Sequence, residues 1–155
     1  MTDFPLPPQA RGGTWVMDSC PAAGHCFGVG EFSVPGFAGR ALIEQYSAGM
    51  WSALEAPAPP QGGFAEALIA SSCTAVDRCA AVGSFSEDGD VNGLIETLAG
   101  GEWVPTEAPL PVDASSDRFA DLYDVSCTAA LCVAIGRYSR ADNHEIGLIE
   151  TGVRN

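Results

Sequence analysis

One stretch, Ser72 to Trp103, is spelled again before and after itself at a period of about 53 residues, and that recurrence limits the fold more than any other feature of the chain. The chain is therefore an array of one small unit. Three copies are expected within a single repeat domain, at approximately residues 1–55, 56–107 and 108–155, the last without its fourth strand.

Each copy opens on a proline-rich loop, Phe4–Pro7, Ala56–Pro59 or Ala108–Pro111, which cannot continue a hydrogen-bonded ladder. A first strand follows at Thr14–Cys20, Ala67–Cys73 and Asp121–Cys127. After a short turn the second strand begins at Cys26, Cys79 and Cys132, and in each copy it ends on Gly, one variable residue and an aromatic. The third strand carries Leu42-Ile43-Glu44, Leu94-Ile95-Glu96 and Leu148-Ile149-Glu150, and the fourth starts at Trp51 and Trp103. Short segments separated by Gly and Pro, with no stretch of helical period, make the chain all-β.

The second strand decides how the copies pack. One of its faces carries Gly28, Gly30 and Phe32, matched by Ala81, Gly83, Phe85 and by Ala134, Gly136, Tyr138. The other carries Phe27 and Val29, Ala80 and Val82, and Val133 and Ile135. A half-exposed strand alternates apolar with polar residues, whereas a strand small or apolar on both faces is covered on both. The pattern predicts three four-stranded repeats stacked as β-propeller-like blades. The alternative is a β-trefoil, which also holds three copies of four strands.

The combination of Ser-Cys, five residues, a second Cys and Ala-Val-Gly, then Gly93-Leu94-Ile95-Glu96-Thr97, Gly100-Gly101-Glu102-Trp103 and Ala108-Pro109-Leu110-Pro111 resembles the cysteine-bearing, propeller-like tandem repeats of exported proteins from high-GC Gram-positive bacteria. The resemblance covers nearly the whole chain. It implies a propeller-like arrangement and an exported setting, and it brings no catalytic residues. The first copy departs from it at Val34–Arg40, which replaces the polar loop, and at Gln45-Tyr46.

Charge narrows the partners. The 155 residues carry 20 Asp and Glu against 7 basic residues, all Arg, for a formal charge of -13. Such a surface repels phosphate backbones and anionic lipid, so neither nucleic acid nor membrane insertion is expected. No apolar run approaches the ~18 residues of a membrane span. Met1–Pro8 lacks the basic start and apolar run of a secretory signal. Six cysteines in three regular pairs nevertheless speak for an oxidising, extracellular or cell-envelope setting, with cytoplasm the alternative.

Cys20 with Cys26, Cys73 with Cys79 and Cys127 with Cys132 are expected to close disulfides within their own copies, each bridging the first two strands. Reduced structural thiols and a metal site are the other readings, but no histidine recurs with the pairs. Asp88, Asp90 and Asn92 stand at the first, third and fifth places of a calcium-loop pattern, with Gly93 at the sixth; Ala99 at the twelfth supplies no carboxylate. Asp88-Gly89 equally reads as a hairpin turn, so no cofactor is expected and calcium binding, if any, would be weak.

Glu44, Glu96 and Glu150 recur at one place on the third strand, where accepting hydrogen bonds from a neighbouring copy's backbone is the expected role. His25 and His144 fall in non-equivalent loops, and Trp15, Trp51 and Trp103 read as core. The function expected is non-enzymatic: binding or surface display of an unknown protein or carbohydrate ligand through the loops. The alternatives are a carbohydrate-active hydrolase using Asp117, Asp121 or Asp142, and a trefoil-type lectin. In the phase of the array, Thr2–Pro5 aligns with Thr106–Pro109. The chain thus begins where a fourth strand would just have ended and stops before another, so a head-to-tail homodimer or membership of a longer array is expected.

Overall fold

A computed structural model describes residues 5–60 and 64–153, without the side chains of residues 14–18, 37, 38, 65 and 153. The expectations for Thr2–Phe4 and for the Trp15 side chain lie outside the described residues. The described chain is all-β and forms three separate sheets. The first, of four strands, runs β1 (Gly12–Ala22), β2 (His25–Val34), β3 (Phe37–Ser47) and β4 (Met50–Glu55). The second repeats this order as β5 (Phe64–Ala75), β6 (Arg78–Glu87), β7 (Asp90–Ala99) and β8 (Glu102–Glu107). The third has β9 (Ala120–Cys127), β10 (Leu131–Ser139) and β11 (Glu145–Val153). All neighbours within a sheet are antiparallel.

Tight turns with residues at positive φ set these hairpins. Ala48-Gly49, Asp88-Gly89 and Gly100-Gly101 each place two successive residues there, which matches the right-handed twist of the flanking strands. Three disulfides, Cys20–Cys26, Cys73–Cys79 and Cys127–Cys132, join first strand to second in every sheet, with Cα atoms 4.0 Å apart. Such bridges belong to an oxidising environment. Among the described residues no helix is long and apolar enough to cross a membrane.

In the second and third sheets the first strand passes close over the face of the second. Two glycines allow it: a Cβ on Gly83 would overlap the backbone of Ala67 and Leu68, and one on Gly136 the backbone of Asp121 and Leu122. The recurring Gly of the second strand is therefore a site of close backbone approach.

The sheets then stack in chain order. β5 lies against β1, β2 and β3, and β9 lies against β5, β6 and β7. Val29 and Ile43 of the first sheet pack with Leu68, Phe85 and Leu94 of the second. Val82 of the second packs with Leu122, Val125 and Ala134 of the third. The middle sheet is covered on both sides, and β6 is buried from Cys79 to Phe85. A trefoil requires strands of different copies to bond into one barrel. Here β4 and β5, like β8 and β9, belong to different sheets, so the trefoil expectation and the lectin reading attached to it are set aside.

Candidate functional site

The equivalent residues Glu44, Glu96 and Glu150 stand at the same register position on the third strand of their sheets, and their surroundings differ. Glu44 and Glu96 are fully buried, and among the described residues no group hydrogen-bonds to either carboxylate. This corrects the expectation that they accept bonds from a neighbouring copy's backbone. Burial disfavours the charged form, and it lifts the Glu44 carboxyl from 4.5 to about 7 and that of Glu96 to about 8. Burial thus favours the neutral form of both carboxyls to well above the usual carboxylate range. Glu150 is only half-buried, and burial raises it too.

Two serines do make bonds between copies. Ser19 Oγ accepts the N–H of Cys73, and Ser72 Oγ accepts the N–H of Cys127, both at 3.0 Å. Ser-Cys is thus a link in which the serine of one copy holds the cysteine of the next. The dipeptide's recurrence was visible in the sequence, but only the stacking shows which cysteine each serine meets. Ser126, the third member, is exposed.

Where the second and third sheets meet, a cavity of about 560 Å³ opens. Ala80, Val82, Ile95 and Thr97 line one wall, and Cys132, Ala134, Glu150 and Gly152 the other, with Asp77 and Arg78 at the β5–β6 turn. The matching space between the first two sheets is filled. There Phe27, Cys79 and Leu98 pack together with Trp103, whose ring meets that of Phe27 edge to face at 5.9 Å. Ala80 stands where the first copy has Phe27, and Gly152 where the second has Leu98. With these smaller side chains, and no counterpart of Trp103 among the described residues, the cavity is left unfilled.

The residues considered for hydrolysis are held apart from this hollow. Asp117 is exposed, Asp142 pairs with Arg140 and His144, and Asp121 stands beside Ser84, Arg137 and Glu66. None of the three lines the cavity. Burial chiefly raises the Asp121 carboxyl, whereas the hydrogen bond from Arg140 holds Asp142 below the usual carboxylate range. Asp77 and Glu150 are the carboxylates that do line the cavity.

The calcium pattern folds as a hairpin. Asp88 and Gly89 are the turn, Glu87 faces Asp90 across it, and Asp90 to Ala99 is the straight strand β7. An EF-hand loop must wrap its twelve residues around the ion, and a strand rising about 3.3 Å per residue carries them away from it. Asn92 is buried on β7, its Oδ1 without a hydrogen bond among the described residues. His25 opens β2, and His144 lies 3.2 Å from Asp142. Trp51 and Trp103 are half-buried, and Trp51 packs on Tyr46 with ring centroids 5.3 Å apart. In comparison with known proteins, no family model, no curated protein and no solved structure matches the chain.

Proposed function

We propose that the chain is a non-enzymatic, exported module of β-propeller-like blades that works by association, extending its stack through the outer face of the third sheet while its loops remain free for binding or display. One comparison supports this. Val29 and Ile43, facing each other across β2 and β3, are 0% exposed beneath the second sheet. Their counterparts Ile135 and Ile149, facing each other across β10 and β11, are 47% and 70% exposed. The occupant is a second copy of this chain joined head to tail, because the covered faces of the first two sheets are covered by the same repeat. Ser126 then offers its hydroxyl to the next cysteine N–H, as Ser19 and Ser72 do.

Six blades from two copies fall within the roughly four to eight that close a propeller. Light scattering during size exclusion at micromolar concentration tests the reading. The expected result is a dimer that Ile149→Glu converts to a monomer; a stable, monodisperse monomer of the unaltered chain would overturn it. Association of unlimited size would point to an open array instead of a closed pair.

A further inference from the structure

The repeat offers an internal standard for the cavity between the second and third sheets. In the first two sheets the third strand is paired on both sides: β3 with β2 and β4, β7 with β6 and β8. β11 is paired with β10 alone among the described residues.

The register shows which backbone groups stand at the open edge of β11. The carbonyl of Gly93 accepts the N–H of Ala108 at 2.8 Å, so Gly93 and, by strand alternation, Ile95 and Thr97 turn their backbone groups toward β8. Pro105, which has no N–H, fits opposite Glu96, whose groups turn the other way. β11 pairs with β10 in the register in which β7 pairs with β6, so Gly147, Ile149 and Thr151 present their N–H and C=O groups at the open edge. The edge runs along the cavity, whose lining includes Glu150, Thr151 and Gly152.

We infer that this edge and cavity form a binding site for an extended peptide segment carrying a tryptophan, which adds as a fourth strand to the third sheet and inserts its indole between the second and third sheets. The partner chemistry follows from β8: main-chain hydrogen bonds supply pairing, and alternate side chains supply specificity. At the filled junction the indole of Trp103 occupies the space beside Phe27 and Leu98. At the open one Ala80 and Gly152 leave more room, while Ala134 and Val82 provide an apolar wall. Buried indoles contribute large apolar area and tolerate a polar group near the ring N–H, which Glu150 supplies at the lining. The inference rests on the register of the repeats, and it does not depend on association through the outer Ile135 and Ile149 face.

The test uses the full chain and a synthetic peptide with the sequence of residues 99–108, Ala-Gly-Gly-Glu-Trp-Val-Pro-Thr-Glu-Ala, labelled for fluorescence anisotropy. The expected result is saturable binding, weakened about tenfold or more when the peptide's tryptophan becomes alanine. Thr151→Pro in the protein removes an N–H from the edge and should abolish binding, with circular dichroism and melting temperature unchanged. The alanine peptide keeps the test valid even if that variant folds poorly, because it leaves the protein untouched. Absence of saturation, or equal binding of the two peptides, would overturn the site. If light scattering showed a dimer whose mass the peptide does not change, and no peptide bound, a second copy would occupy the edge and the assignment would fall. Ile135→Glu, on β10 and away from the open edge, should leave peptide affinity unchanged while disrupting association, which separates this site from the proposed dimer contact.

Discussion

The hydroxyl oxygen of Ser72 accepts the backbone N–H of Cys127 from the next sheet at 3.0 Å, 55 residues away in sequence. Ser19 and Cys73 stand in the same relation 54 residues apart. Each bond is placed beside a disulfide that already holds the cysteine's backbone, so the serine meets a donor in a nearly fixed position. The stack is thereby stitched at the same height at both junctions.

Ser72→Ala should lower stability by about 1 kcal/mol or somewhat more, because a partly buried N–H is left without its acceptor. Ser126→Ala, at the exposed counterpart, should cost the isolated chain almost nothing. Urea denaturation of the two variants, compared at equal protein concentration, measures the difference. Equal losses would remove the linking role from the serine.

Stability should fall as pH rises from about 5 to 9, and Glu96 should be a principal cause. Its carboxyl is raised in the folded state to about 8 from 4.5, so its contribution is complete below about 4.5 and disappears as pH passes through 8. Each unit of difference corresponds to about 1.4 kcal/mol. Glu96→Gln should therefore melt at nearly the unaltered temperature at pH 5 and several degrees higher at pH 9. Parallel pH profiles for the two proteins would show that the side chain keeps its charge.

Gly83→Ala should destabilise by about 3 kcal/mol or more, since the added methyl overlaps the backbone of β5 and that strand must retreat from β6. Gly147→Ala, where an added Cβ meets nothing within 4 Å, should change stability little. Thermal melts of both variants distinguish a close-approach glycine from one whose loss is a matter of propensity. A tolerated alanine at Gly83 would mean that β5 does not pass close over β6.

Reduction should cost about 2 kcal/mol for each bridge, as the chain-entropy model gives for loops this short. Thiol titration of the unfolded chain should find no free thiol before reductant and six after it. Denaturant midpoints with and without reductant give the loss. Free thiols in the untreated protein would remove the argument for an oxidising setting.

Calcium at low millimolar concentration should not shift the melting temperature in a saturable way, because β7 is extended from Asp90 onward. A shift that Asp88→Ala removes would mean that the hairpin tip rearranges around the ion.

The sequence alone determined what is local. Period-two patterning, Gly and Pro punctuation and the Asp-Gly turn mark antiparallel hairpins, because strand pairing across a tight turn depends on residues close in the chain. The apolar character of both faces of β6 likewise announced cover on two sides. Which residues meet across that cover was not legible, since the pattern records that a face is buried and not what lies on it. Tertiary structure decided that Ser72 meets Cys127, that Glu96 is enclosed without a hydrogen-bond partner among the described residues, and that the three sheets stay separate where a trefoil would join them. It also decided that near-identical spellings make one filled junction and one open junction. Phe27, Leu98 and Trp103 come from two copies and three strands, and only stacking brings them together. Their replacement by Ala80 and Gly152 at the second junction has no meaning until the sheets are placed face to face.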